Sequence, residues 1–146
     1  MEIEINFIKN AGRIDYKFIN NIFISSIKNI FKVILSEEKK VCSIANIVLL
    51  RDNDITEFNN FHLQKEKATD VISVGYADAN KHNILDLLVS VETVKKNAKY
   101  YGTDFVNEMF RVLIHGFLHF CGYNDYNDSD LKIMKKLETK YLKLIR

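Results

Sequence analysis

The chain has 146 residues, 47% hydrophobic and 27% charged, with a formal net charge of +2. That length suits a single domain, residues 1–146, with a core of useful size. The near-neutral balance excludes a polybasic coat, so a nucleic acid would have to be held by a local patch and not by bulk charge.

Met1-Glu2-Ile3-Glu4 offers no basic region leading into an apolar stretch, so no secretory signal is expected. From Glu2 to Phe7 polar and apolar residues alternate, which predicts a strand with one buried face. After a turn near Gly12, Ile19, Ile22, Phe23, Ile27, Ile30, Phe31 and Ile34 recur at helical spacing and form an apolar stripe. Asn20, Asn21, Ser25, Ser26, Lys28 and Asn29 interrupt the apolar region 16–35, which falls short of the ~20 unbroken apolar residues of a membrane span. A cytoplasmic protein without membrane attachment is expected.

The run Ser36 to Lys40 is a solvated connection, and Cys42 to Leu50 is apolar and β-branched enough for a strand. Asp52 or Asp54 can cap a short helix through about Phe61. Ala68 to Val74 predicts a strand, 76–84 a polar loop, and Leu85 to Ser90 the next strand. Ser90 then caps a helix from Val91 to Tyr101 that Gly102 ends. A second helix begins near Thr103-Asp104 and runs to Cys121. A last one starts at Asp128 or Ser129, with Leu131, Met134, Leu137, Tyr141 and Leu144 as its apolar stripe. The fold class is α+β: a mixed four-stranded sheet with about five helices against it. Cys42 and Cys121 both lie in apolar runs and read as buried free thiols of a reducing compartment.

Chemistry concentrates between Arg111 and Asp125. His115 and His119 are four residues apart in an apolar run, so on a helix both imidazoles leave one face, one above the other. Gly122 can adopt the left-handed conformation that closes the helix and brings Asp125 back toward the rings. Two imidazoles and a carboxylate with one position open describe a catalytic-type transition-metal site, with zinc first among the candidates. A peptidase of the H-E-x-x-H type needs a glutamate after the first histidine, and that position is Gly116. An open site can still acidify a bound water or polarise a phosphoryl oxygen. Asp70 and Asp86 are candidates to orient the histidines from behind.

The stretch His115-Gly116-x-Leu118-His119-Phe-x-Gly122-Tyr123 resembles the H-G-x-L-H-L-x-G-Y-D-H motif of the YbeY family, bacterial metallo-endoribonucleases of rRNA maturation and ribosome quality control. Thr69 to Ser73 is similar to the family's T-D-V-L-S-F segment, Leu85 to Ser90 to its G-D-I-x-I-S strand, and Glu108 stands where the family usually has an acidic residue. The resemblance spans roughly residues 45–140. It implies one zinc per chain held by His115, His119 and Asp125, the last in place of the family's third histidine. It further implies cleavage of single-stranded RNA in 16S rRNA 3′-end maturation, with the ribosome or its small subunit as partner. Within the family's Y-R-x-K-D-x-P-T-D run the arginine position is Leu63, which cannot grip phosphate, so Lys65 or Lys67 would supply that charge. With His115 and His119 these lysines complete the candidate catalytic set. The alternative function is a ribosome-associated factor whose metal is largely structural. Oligomeric state is not legible in the sequence.

Overall fold

A computed structural model describes residues 2–62 and 70–145, with backbone only from 59 to 62. In chain order the elements are β1 (Glu4–Lys9), α1 (Asn21–Glu38), β2 (Ile44–Leu50), α2 (Asp52–His62), β3 (Val71–Ala77), β4 (Asn83–Ser90), α3 (Val91–Tyr101), α4 (Phe105–Phe120) and α5 (Asp128–Leu142). The sheet order is β1-β2-β4-β3. β2 runs parallel to both β1 and β4, and β3 pairs antiparallel with β4, so the sheet is mixed and the fold α+β, as the sequence predicts. None of the described helices is long and apolar enough to cross a membrane.

Element ends follow local chemistry. Asn20 caps α1 by accepting from the Phe23 N–H, Asp104 caps α4 through the Asn107 N–H, and Asn127, one residue before the predicted cap, serves α5. Ser90 caps α3, where Gly102 sits at φ +67° at the far end. β3 and β4 reach further than predicted: the polar loop shrinks to a turn in which the Asp78 carboxylate takes the N–H groups of Asn80 and His82. Ser36 to Glu38 extends α1 and is not a free connection. Glu37 accepts from Tyr141 Oη at 2.7 Å and Glu38 from Tyr123 Oη at 2.6 Å, tying the end of α1 to α5 and to the loop after α4.

α4 is central. Nine of its sixteen residues are buried, and it packs on β3 and β4 and against α1, α3 and α5, with Phe31 of α1 and its own Phe117 stacked at 3.9 Å. A helix this apolar is stable only when covered on most sides. At Gly116 α4 comes close to the sheet: a Cβ there would sit 2.8 Å from Leu87 Cδ2 and 2.9 Å from Val71 Cγ2. The position that would carry a peptidase's glutamate therefore points into the core. Gly116→Ala gains helix propensity of roughly 1 kcal/mol but collides with a β-branched valine that cannot rotate away. Overpacking of about 1–3 kcal/mol should outweigh that gain, read as a lower urea midpoint at unchanged m-value.

Cys42 and Cys121 are buried and free. Burial pushes their thiols up to about 11 and about 12, with Glu38 adding to the second.

Candidate metal centre

The last turn of α4 builds the site. Gly122, at φ +104°, donates to His119 O, and Tyr123 N–H reaches back to Leu118 O at 3.1 Å. This pair of backward bonds is a Schellman closure, which needs a residue at positive φ after the cap. Its geometry places the Tyr123 carbonyl 2.8 Å from His119 Nδ1. Two residues later the chain delivers Asp125 to the same face.

His115 is fixed from another helix. Its Nδ1 lies 2.6 Å from Glu138 Oε2 on α5, and Glu138 is 5% exposed. A carbonyl and a carboxylate can only accept, so both rings carry their proton on Nδ1 and turn Nε2 forward. The two Nε2 atoms are 3.0 Å apart, and Asp125 Oδ2 lies 3.3 Å from the first and 3.5 Å from the second. Three acceptors facing one another repel unless a cation or a proton stands between them. At bonds of about 2.0–2.1 Å, ligand atoms around a tetrahedral zinc lie roughly 3.3–3.4 Å apart, so the triangle matches a metal's requirement. The three side chains are 14%, 26% and 34% exposed, which leaves solvent access for a fourth ligand. These residues could hold a metal ion.

Behind His115 lies a cluster of ionic groups that the sequence did not reveal. Arg111 donates to Glu108 at 2.8 and 2.5 Å, to Glu138 at 3.2 Å and to Asp70 at 3.4 Å. Burial opposes its charge, but these three carboxylates more than compensate and drive its pKa up. Burial would likewise lower the His115 pKa. The bonded Glu138, helped by Asp70 and Asp125, prevails and raises it.

Asp70 thus accepts from Arg111 and Asn97 and reaches His115 through space, without a hydrogen bond to its ring. Asp86 cannot act on either one. Leu85, Leu87 and Val89 fill the core on the α4 side, so Asp86 faces the opposite side of the sheet, where Asn46 donates to it at 3.0 Å. Ser90, besides capping α3, donates to Asp52. Lys65, Lys67, Leu63 and the side chain of His62 lie outside the described residues, so of the candidate catalytic set the structure brings together His115 and His119.

A family model described as "Endoribonuclease YbeY" matches residues 7–146. A Flavobacterium psychrophilum protein named "Endoribonuclease YbeY" is 40% identical over 121 residues, covering 82% of this chain and 84% of its own. A Bacteroides fragilis protein of the same name is 39% identical over 105 residues, 72% of this chain and 74% of its own. The solution structure of a Thermotoga maritima protein shares the fold at a TM-score of 0.61 and 22% identity, covering 97% of this chain and 88% of that one.

Proposed function

The chain belongs to the endoribonuclease YbeY family, and from that membership we propose that it is a zinc-dependent endoribonuclease of single-stranded RNA. Its setting would be the cytoplasm, its task 16S rRNA 3′-end maturation and ribosome quality control, and its partner the small ribosomal subunit. The observation that carries the metal-dependent reading is the triangle of His115 Nε2, His119 Nε2 and Asp125 Oδ2, with sides of 3.0, 3.3 and 3.5 Å. Two rings locked from behind with their lone pairs converging on a carboxylate are costly unless a metal ion or a proton stands between them, and the open, solvent-reached triangle suits the metal.

Zinc, when bound, supplies Lewis acidity toward a phosphodiester and a nucleophile available near neutral pH. The chain's own residues set the terms. Glu138 and the Tyr123 carbonyl hold the two imidazoles in one tautomer and one orientation. Asp125 brings one negative charge more than a third histidine would. Arg111 offsets the carboxylates behind His115, so that the acidic cluster does not repel an incoming phosphate as strongly as its count suggests. Lys65 and Lys67 are proposed to hold the phosphate where the family has its arginine.

The test is incubation of zinc-loaded protein with single-stranded and duplex RNA, beside a His115→Ala, His119→Ala double variant. Cleavage of the single strand should disappear in the variant and on chelation, and should return when zinc is restored. Far-UV circular dichroism should not change on chelation, because the core is assembled from apolar residues that do not include the three ligands. Equal cleavage by the double variant would point to a contaminating nuclease and sink the proposal. Loss of the fold on chelation would favour a structural metal in a ribosome-associated factor.

A further inference from the structure

β3 forms one edge of the sheet, so its outer side has no strand partner among the described residues. Two bonds fix which of its residues are turned outward. Ser90 N donates to Asp70 O at 2.9 Å and Asp78 N to His82 O at 3.0 Å, one beyond each end of the β3–β4 ladder. Bonded pairs alternate along an antiparallel ladder, so the even-numbered residues of β3 are engaged with β4. Ser73, Gly75 and Ala77 present their N–H and C=O groups outward.

The same three residues line an open cleft of about 570 Å³ that also meets Lys40, Phe120 and the proposed metal ligand His119. That volume lies within the ~300–1,000 Å³ of sites for cofactor-sized ligands. Phe120 approaches the β3 backbone because Gly75 has no side chain: a Cβ there would lie 3.1 Å from its ring. Lys40 is exposed and takes no part in the lysine ion pairs formed among the described residues. The cleft thus joins main-chain donors and acceptors without a strand partner among the described residues, an aromatic ring, an exposed lysine and the proposed metal ligand His119.

We propose that this cleft seats the nucleotide next to the scissile phosphate. Its base would lie against Phe120 with its edge on the outward groups of Ser73 and Gly75, and Lys40 would hold a backbone phosphate. The proposal rests on the endoribonuclease reading above. An extended peptide could also add to β3 as a strand, but it would use neither the Lys40 charge nor the continuity with His119, so RNA is the occupant the arrangement favours.

The test compares zinc-loaded wild type, Lys40→Glu and Phe120→Leu on a short single-stranded RNA, by steady-state cleavage and by fluorescence anisotropy. Lys40→Glu should raise Kd and KM and lower the salt slope of binding by about one. Phe120→Leu should raise both constants about 5-fold or more, as loss of one stacked base does. In each variant the zinc content should hold and most of the loss should fall on KM. Because Phe120 also touches Phe117, Lys40→Glu keeps the test valid should Phe120→Leu fold poorly. Unchanged RNA constants in Lys40→Glu, with its salt slope intact, overturn the proposal. So does a fluorescent extended peptide whose binding Phe120→Leu weakens while RNA binding is untouched. RNA that binds, responds to both variants and is not cut would sink the endoribonuclease reading and leave the cleft assignment standing. Wild type that does not bind the RNA would sink both.

Discussion

Glu138→Gln is expected to weaken zinc binding roughly 10–100-fold, the range for loss of a partner behind a metal-binding histidine. The carboxylate serves two neighbours at once: Oε2 meets His115 Nδ1 at 2.6 Å and Oε1 accepts from Arg111 at 3.2 Å. An amide has one acceptor, so glutamine must give up one of the two bonds or point its NH₂ at a donor. Glu138→Ala should do more, and to the fold as well. It strands the His115 N–H and removes one of three carboxylates that offset a largely buried guanidinium, and breaking such a buried network by deleting one partner costs about 3–5 kcal/mol. Zinc competition against a chromophoric chelator reads the first effect and a urea midpoint the second. If Glu138→Gln binds zinc as tightly as wild type while Glu138→Ala merely unfolds more easily, Glu138 braces the helices and does not tune the site.

This cluster also shows where the sequence stops being readable. Helical spacing alone places His115 and His119 on one face, and the glycine two residues before Asn124 announces the turn that returns Asp125. These are contacts within fifteen residues of one another, where backbone geometry dictates the outcome. Glu138 comes from a separate helix, and its pairing with His115 depends on how α5 docks, which no local rule specifies. A trace of it was present. The buried residues of α5 are Met134, Glu138 and Tyr141, so a carboxylate occupies a position of the apolar stripe, while Leu131 and Leu144, assigned to that stripe by spacing, are 36% and 42% exposed. Along α4, Glu108, Arg111, His115 and His119 follow at intervals of three, four and four, a polar line down an apolar helix that could have marked Arg111 as a member of the site. Asp86 misled for the opposite reason. Period-two alternation says which strand residues share a face, and only the packed structure shows which face meets α4.

Asp125→Ala should lower zinc affinity by more than 100-fold, beyond what loss of an outer partner does, because it removes one of the three atoms that would touch the ion. The two histidines alone leave an Nε2 pair at 3.0 Å, enough for a weak site whose occupancy falls on dialysis. Asp125→His should keep zinc, since imidazole is an equivalent ligand, while raising the net charge of the centre by one. A more positive centre favours the deprotonated form of groups it touches, so the acid limb of the cleavage–pH profile should move to lower pH in Asp125→His. Elemental analysis after dialysis measures the first effect and the rate profile the second. Full zinc occupancy in Asp125→Ala would show that the carboxylate closes the turn without binding the ion. The proposed site would then have only two protein ligands among the described residues, too few for an open catalytic zinc of the three-ligand kind, and the search for the third would move to a residue outside them.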